Sequence, residues 1–337
     1  MKSYRLQEFG SLAHLQQVEE PMPKAGRGQV VVKVMATSLN YRDLAILHQT
    51  GTLSPLAGLI PLSDGAGEVI ELGEKASLFN IGSRVAGSFF PYWIAGDITE
   101  EASRGAYGSR SDGWLTQYKV VDESALVAIP DYLSYEQAAT LPCAAVTAWN
   151  SLMKPKPIRP GETVLVQGTG GVAVFALQLA KRMGARVIAL TSSSQKAETL
   201  QALGADEVIN YLELPDWHVR VRELTAGKGV ERIVEIGGPG TLQNSILSCA
   251  AGGEISLLGF VAQSSEPVDF MTLFKSAATI RSFSVGSRED FIQMNRAVEL
   301  HQLKPVISRV FPFEQAKEAW AYFEQRKQVG KVVIAHH

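Results

Sequence analysis

With 337 residues, 46% of them apolar and 20% charged, the chain is long enough to bury a sizeable core and to divide into two domains, and its composition is that of a globular protein and not of a disordered one. A formal net charge of −2 leaves no electrostatic case for nucleic acid or an anionic membrane as partner. The opening MKSYRLQEFG has no apolar segment to serve as a signal peptide, no stretch reads as a membrane span, and two cysteines, Cys143 and Cys249, make no disulfide framework; a cytoplasmic enzyme is expected.

The first 130 residues read as strands. Gln29 to Ala36 (QVVVKVMA), Gly67 to Leu72 (GEVIEL), Arg84 to Phe89 (RVAGSF) and Leu115 to Val121 (LTQYKVV) are separated by Gly and Asp/Asn/Ser clusters, the pattern of a small antiparallel barrel-like domain. Phe90 to Asp112 is a polar, glycine-containing insertion of a length that is usually functional or disordered. Its Tyr92, Trp93 and Tyr107 either cover a pocket or pin the loop onto its domain.

From Ser134 the pattern changes to helix and parallel strand. Ser134 is placed to cap a helix through YEQAATL, with Glu136 and Gln137 near the first turn. The strongest local signal follows at Thr163 to Lys181, TVLVQGTGGVAVFALQLAK. An apolar run suited to a strand buried on both faces enters a glycine turn and continues as an apolar-rich helix. Gly168 permits a tight turn, and Gly170 with Gly171 lets backbone N–H groups approach a pyrophosphate at a helix N-terminus. The third glycine of G-x-G-x-x-G is here Ala173, still small enough for close helix–strand packing.

Such glycines also occur in ordinary α/β loops. What favours a dinucleotide site is the next strand, Arg186 to Thr191 (RVIALT), which ends about twenty residues on, where a ribose-contacting residue belongs. An NAD site would put Asp or Glu there; this chain has Thr191, Ser192, Ser193, Ser194 and then Lys196. A carboxylate repels a 2′-phosphate, whereas hydroxyls and an ammonium hold one, so NADPH is expected over NADH. The strands GADEVIN (204–210), ERIVEIG (231–237), GEISLLG (253–259) and TIRSFSVG (279–286) follow, alternating with helices at Gln195 to Leu203, Trp217 to Thr225, Gly240 to Ala250 and Phe270 to Ala278. Six strands with crossovers make a doubly wound parallel sheet. Helices near Arg288 to His301 and Phe313 to Gln325, then a short strand Lys331 to Ala335, complete the chain.

SLNYRD (38–43), DGAGEVIELG (64–73), LPCAAVTAW (141–149), QGTGGVA (167–173), LGADEVINY (203–211) and GKVVI (330–334) together resemble the medium-chain dehydrogenase/reductase superfamily, over essentially the whole chain. SLNYRD and TSSSQK look like its zinc-free, quinone-oxidoreductase-like branch. The resemblance implies an α/β protein: a GroES-like, β-rich catalytic domain at 1–130 completed by 288–337, and a Rossmann domain at 131–287. It also implies a homodimer, and TIRSFSVG would pair with its copy. Two of the three zinc-ligand positions of the related alcohol dehydrogenases fall on Asn40 and Ser63, leaving only Cys143, and the insertion that carries their structural zinc has no cysteine. About three protein ligands are needed for a catalytic zinc, so none is expected, even allowing for His48 near the Asn40 segment.

The same motifs imply Thr147 and Val172 beside the nicotinamide ring, Gly168, Gly170 and Gly171 on the pyrophosphate, Ser192, Ser193, Lys196 and Tyr211 around the 2′-phosphoadenosine end, and Gly259 with Phe260 at the nicotinamide amide. Without metal, Asn40 and Tyr41 would polarise the carbonyl, adjusted by Arg42 or Asp43, with Asp64 orienting a donor or satisfying the GAG turn. Where quinone oxidoreductases often carry a tyrosine this chain has Ala45, leaving Tyr41 as substitute, although core packing explains Tyr41 equally well. The expected activity is zinc-independent hydride transfer from NADPH to a quinone or related conjugated carbonyl. The alternatives are C=C reduction of an enone or enoyl substrate and, from another class, a non-catalytic NADPH-binding protein.

Overall fold

The structure is a computed structural model and describes residues 1–50 and 55–336. Its contacts divide the chain into two compact units, Met1–Val146 with Val285–His337, and Thr147–Ser284.

In the first unit the β-branched run at 29–36 extends as a strand over Gln29–Ser38. It pairs antiparallel with Asp64–Leu72, Tyr118–Asp122 and Lys331–Ala335. Arg84–Gly87 and Leu126–Ala128 continue the sheet on one side and Ile307–Pro312 on the other, while Lys2–Leu6 and Leu15–Glu19 make a separate hairpin. A Cβ added at Gly65 or Gly87 would lie 2.4 or 2.2 Å from the Trp114 ring, so these two glycines make room for a fully buried indole. The helix α1 (Tyr41–Leu47) leaves the end of the central strand and buries Leu44, Ile46 and Leu47 against Leu39, Trp320, Val332 and Ile334.

The insertion is pinned rather than open. Trp93 and Tyr107 are buried, Tyr107 meeting Trp114 edge-on at 6.0 Å, and only Tyr92 is exposed. Arg42 reinforces this by donating to the Tyr107 carbonyl at 2.9 Å and to Ser109 Oγ at 2.8 Å, its guanidinium 4.7 Å from the Phe89 ring centre.

Several element boundaries differ from expectation. The strand expected from Leu115 begins only at Tyr118, because the backbone of Trp114 and Leu115 bonds instead to Pro61 and Leu62, and Leu115 accepts from Tyr4. Ser134 does cap a helix, reciprocally with Gln137, but it runs only over Tyr135–Ala138. Pro142 then disfavours α geometry before it, and a π-helical turn, Leu141–Ala145, carries the chain into the helix Val146–Met153. The strand Ile307–Pro312 lies outside the expected elements, being a mostly exposed edge with little apolar alternation. The helix expected from Phe313 starts at Ala316 after a single 3₁₀ turn.

The second unit is a six-stranded sheet of β1 (Thr163–Gln167), β2 (Arg186–Thr191), β3 (Glu207–Asn210), β4 (Val230–Glu235), β5 (Cys249–Leu257) and β6 (Thr279–Ser282), parallel throughout and ordered β3-β2-β1-β4-β5-β6. This is the doubly wound Rossmann order, with its switch point between β1 and β4. Every residue of β1 is buried, as its unbroken apolar run requires. The crossovers include α2 (Gly171–Arg182), α3 (Ser194–Ala202) and α4 (Phe270–Ser276). The expected strand at 253–259 starts earlier, at Cys249, which shortens the preceding helix to Leu242–Ser248.

Candidate functional site

The turn after β1 is built from backbone. Gly168 sits at φ +76°, a left-handed conformation that any side chain would strain, and Gly170 opens α2. A Cβ on Gly170 would meet no atom within 4 Å, so open space lies in front of a helix N-terminus whose first-turn N–H groups, from Gly171 and Val172 onward, have no intrahelical acceptor. That is a cradle fit for a pyrophosphate. Ala173 is fully buried, which satisfies the close packing required of the motif's third small residue.

At the end of β2, the Thr191 carbonyl accepts from the Tyr211 backbone N–H at 2.9 Å, which places Tyr211 next to the TSSS turn. Ser193 Oγ accepts from Lys196 N at 3.2 Å and caps α3, while partial burial lowers the Lys196 ammonium below its ordinary pKa. Ser192 is partly exposed beside them, and among residues 191–196 there is no carboxylate. Gly259 lies so close to Ile236 that an added Cβ would stand 2.1 Å from its carbonyl oxygen. Phe260, next to it, is partly exposed, and Thr147 is buried in the helix after the π turn.

One group here carried no sequence signal. Glu235, fully buried at the end of β4, accepts from Gln167 Nε2 at 2.5 Å, Thr241 Oγ1 at 2.5 Å, Gly237 N at 2.8 Å, Gly238 N at 2.9 Å and Ser245 Oγ. Gln167 is the last residue of β1, and its Oε1 accepts from Ile236 N and Gly237 N. The pair therefore braces the two strands at the switch point. Only the sheet order reveals that they are neighbours.

The first unit gathers the other set. Asn40 caps α1, and its backbone N–H donates to Asp43 Oδ2 at 2.7 Å. Asp64 accepts from Ser63 Oγ at 2.7 Å and, through Oδ2, from Cys143 N at 3.2 Å, so it serves neighbours other than the GAG turn. Lys331, for which sequence reading had no role, donates through Nζ to Leu39 O and Asn40 Oδ1, both at 2.6 Å, and lies 3.9 Å from Asp64 Oδ2. Burial pushes the Asp43 carboxyl up to about 6, against the pull of Arg42. Burial likewise lowers Lys331 and raises the Cys143 thiol well above the ordinary thiol range. Tyr41 stands apart: its ring packs on the core around Leu44 and Trp320, and its hydroxyl lies 3.4 Å from Arg326.

The donors do not fit a zinc ion. Asn40 and Ser63 are an amide and a hydroxyl, weak ligands beside the lone thiol of Cys143, and the Asn40 amide oxygen is already taken by Lys331 Nζ. His48 is paired with Glu324 at 2.6 Å instead. Among the described residues no three His, Cys, Asp or Glu side chains group to hold a metal, and no helix is long and apolar enough to cross a membrane.

Residues 26–131 match the alcohol dehydrogenase GroES-like domain and residues 171–299 the zinc-binding dehydrogenase domain. A zinc-type alcohol dehydrogenase-like protein of Schizosaccharomyces pombe is 40% identical over 97% of this chain and 96% of its own. An acryloyl-coenzyme A reductase of Metallosphaera sedula is 29% identical (95% of each chain), and a quinone oxidoreductase of Sus scrofa 28% (99% and 97%). Among solved structures, an NAD-dependent alcohol dehydrogenase superposes with TM-score 0.91 at 31% identity, and a mycobacterial protein complexed with NADPH with TM-score 0.84 at 26%, each covering 100% of both chains.

Proposed function

The chain belongs to the medium-chain dehydrogenase/reductase superfamily and is an NAD(P)-dependent oxidoreductase; on that basis we propose that it is a zinc-independent, NADPH-dependent reductase of quinones or related conjugated carbonyls. The observation that carries this reading is the buried Asn40–Asp64–Lys331 cluster, which offers hydrogen-bond donors and a fixed cation where a metal donor set would otherwise be needed.

When bound, the dinucleotide supplies a hydride. A quinone taking up that hydride together with one proton from water would be released as a hydroquinone. The protein's part is positioning and charge stabilisation. Backbone N–H groups at Gly170–Val172 hold the pyrophosphate, and Thr147, Val172, Gly259 and Phe260 orient the ring. Ser192, Ser193, Lys196 and Tyr211 take the 2′-phosphoadenosine end. Asn40 donates to the substrate oxygen as negative charge develops there, and Asp64 and Asp43 hold the Asn40 segment in place. The exposed Phe270 and Phe274 on α4, 70% and 71% exposed, and the open edge of β6 support a two-fold homodimer.

The test is NADPH oxidation with a simple para-quinone and an enone in parallel, under chelator. Quinone turnover that survives the chelator is expected. Turnover of the enone alone would move the assignment to C=C reduction, a chemistry carried by the acryloyl-coenzyme A reductase relative. Tighter binding of NADH than of NADPH would overturn the cofactor preference. A monomeric mass in solution would end the dimer.

A further inference from the structure

Lys331 opens a strand, KVVIA, that is otherwise apolar and buried throughout. The ladder pairs Val333 with Ser38, Ile334 with Thr37 and Ala335 with Ala36, and the same register carried two residues further sets position 331 opposite Asn40. The ammonium there has three donors and no acceptor. Two of its bonds go to Leu39 O and Asn40 Oδ1, at 2.6 Å each. An amide can turn either oxygen or nitrogen toward a neighbour, but only the oxygen can face an ammonium. Lys331 therefore decides which way the Asn40 amide points.

The consequence lies on the other side of that amide. Asn40 is 8% exposed, and its Nδ2 is a buried donor with no hydrogen-bond partner in the structure. A buried donor left unmatched forfeits its hydration without return, so such a group calls for an explanation. Around it the Asn40 backbone N–H goes to Asp43 Oδ2, and Asp64 takes Ser63 and the Cys143 backbone, while Asp43 Oδ1 is likewise buried without a hydrogen-bond partner. We propose that Lys331 is a positioning residue, which locks the Asn40 amide with Oδ1 inward so that Nδ2 is held as the donor for the substrate oxygen during hydride delivery. This rests on the reductase reading above and adds to it the device that orients the donor. A lysine that merely tied the strand Lys331–Ala335 to α1 would leave Nδ2 without a task.

The decisive measurement is a double-mutant cycle, read as kcat and KM for the quinone with NADPH binding followed separately by fluorescence. Lys331→Met is expected to lower kcat by on the order of 10- to 100-fold, with acceptor KM and NADPH affinity within about twofold of wild type. In an Asn40→Ala background the same change is expected to cost no more than about twofold further, because the amide it orients is gone. Losses that multiply, or a Lys331→Met enzyme with unchanged kcat, would overturn the proposal. Should Lys331→Met not fold, Asn40→Asp decides: it keeps an acceptor for Lys331 but removes the donor, so undiminished kcat in this variant sinks the idea. If the wild-type protein turns over neither acceptor, the reductase reading fails separately. The donor is then tested in asparagine-labelled protein with 4-nitrophenolate as an oxyanion probe. The Asn40 side-chain amide resonances, assigned through Asn40→Asp, should shift on addition, and no shift would overturn the proposal.

Discussion

The glycine turn after β1 and the Asn40–Lys331 cluster are the two places where the proposed function needs negative charge to be met, and they are made in opposite ways. The turn lies within a few consecutive residues and uses main-chain N–H groups, a left-handed glycine and the start of a helix. The cluster draws its members from positions 40, 43, 64, 143 and 331, and its chemistry is carried by side chains held in a buried hydrogen-bond network. A backbone device needs little support beyond its own strand and helix. A side-chain device depends on every neighbour that fixes a rotamer, an amide orientation or a charge.

That contrast has one internal exception, and it gives the largest expected effect. Glu235 and Gln167 bring side-chain bracing to the backbone device, so Glu235→Leu should leave two backbone N–H groups, an amide and two hydroxyls without their buried acceptor. Urea denaturation is expected to show a loss of about 3–5 kcal/mol. A loss below about 1 kcal/mol would mean that the turn supports itself.

Next in size is Gly170→Asp. Its Cβ meets no atom within 4 Å, so the fold should melt within about 2 °C of wild type. The carboxylate, however, would stand where the pyrophosphate belongs, and NADPH binding should weaken by on the order of 100-fold. Unchanged affinity in a fluorescence titration would break the assignment of that cradle.

Asp43 tests the charged cluster through pH. Its carboxyl is pushed from an ordinary 3.8 up to about 6, so the fold favours the protonated form. The resulting stabilisation is complete below the unfolded value and is lost as pH rises through about 6. Relative to Asp43→Asn, whose side chain never ionises, the wild-type protein should lose on the order of 2 kcal/mol between about pH 4 and pH 7. Parallel denaturation curves for the two proteins across that window would contradict the burial argument.

The smallest effect is expected at the adenosine end. Lys196→Ala should weaken NADPH by about tenfold and leave NADH within about twofold, since one partly exposed ammonium contributes roughly 1–2 kcal/mol to a phosphate contact. Equal weakening of both dinucleotides would assign Lys196 to the fold of α3 instead.

Much of the molecule was legible from the chain alone. A buried run such as TVLVQ followed by G-x-G-x-x-A states strand, turn and helix in local terms, and the β-branched run QVVVKVMA states a largely buried strand. These signals work because backbone conformation and burial pattern are decided within a few residues. The charged cluster could be read only in part. Asn40, Asp43 and Asp64 were named from motif positions, but Lys331 looked like a lysine at the head of an apolar strand, and Glu235 like one charge in ERIVEIG. Tyr41, equally reasonable as a donor by type, turns its ring to the core and its hydroxyl toward Arg326.

By itself, then, the sequence determined the six parallel strands with their helices, the backbone cradle and the scarcity of metal ligands, because each is a property of local pattern or composition. Only the tertiary structure decided that position 331 lies opposite position 40, that Gln167 meets Glu235 across the switch point, and that Lys331 Nζ donates to Asn40 Oδ1. Those facts depend on strand register and sheet order, where a slip of one residue turns every side chain to the opposite face, and no stretch of local sequence encodes them.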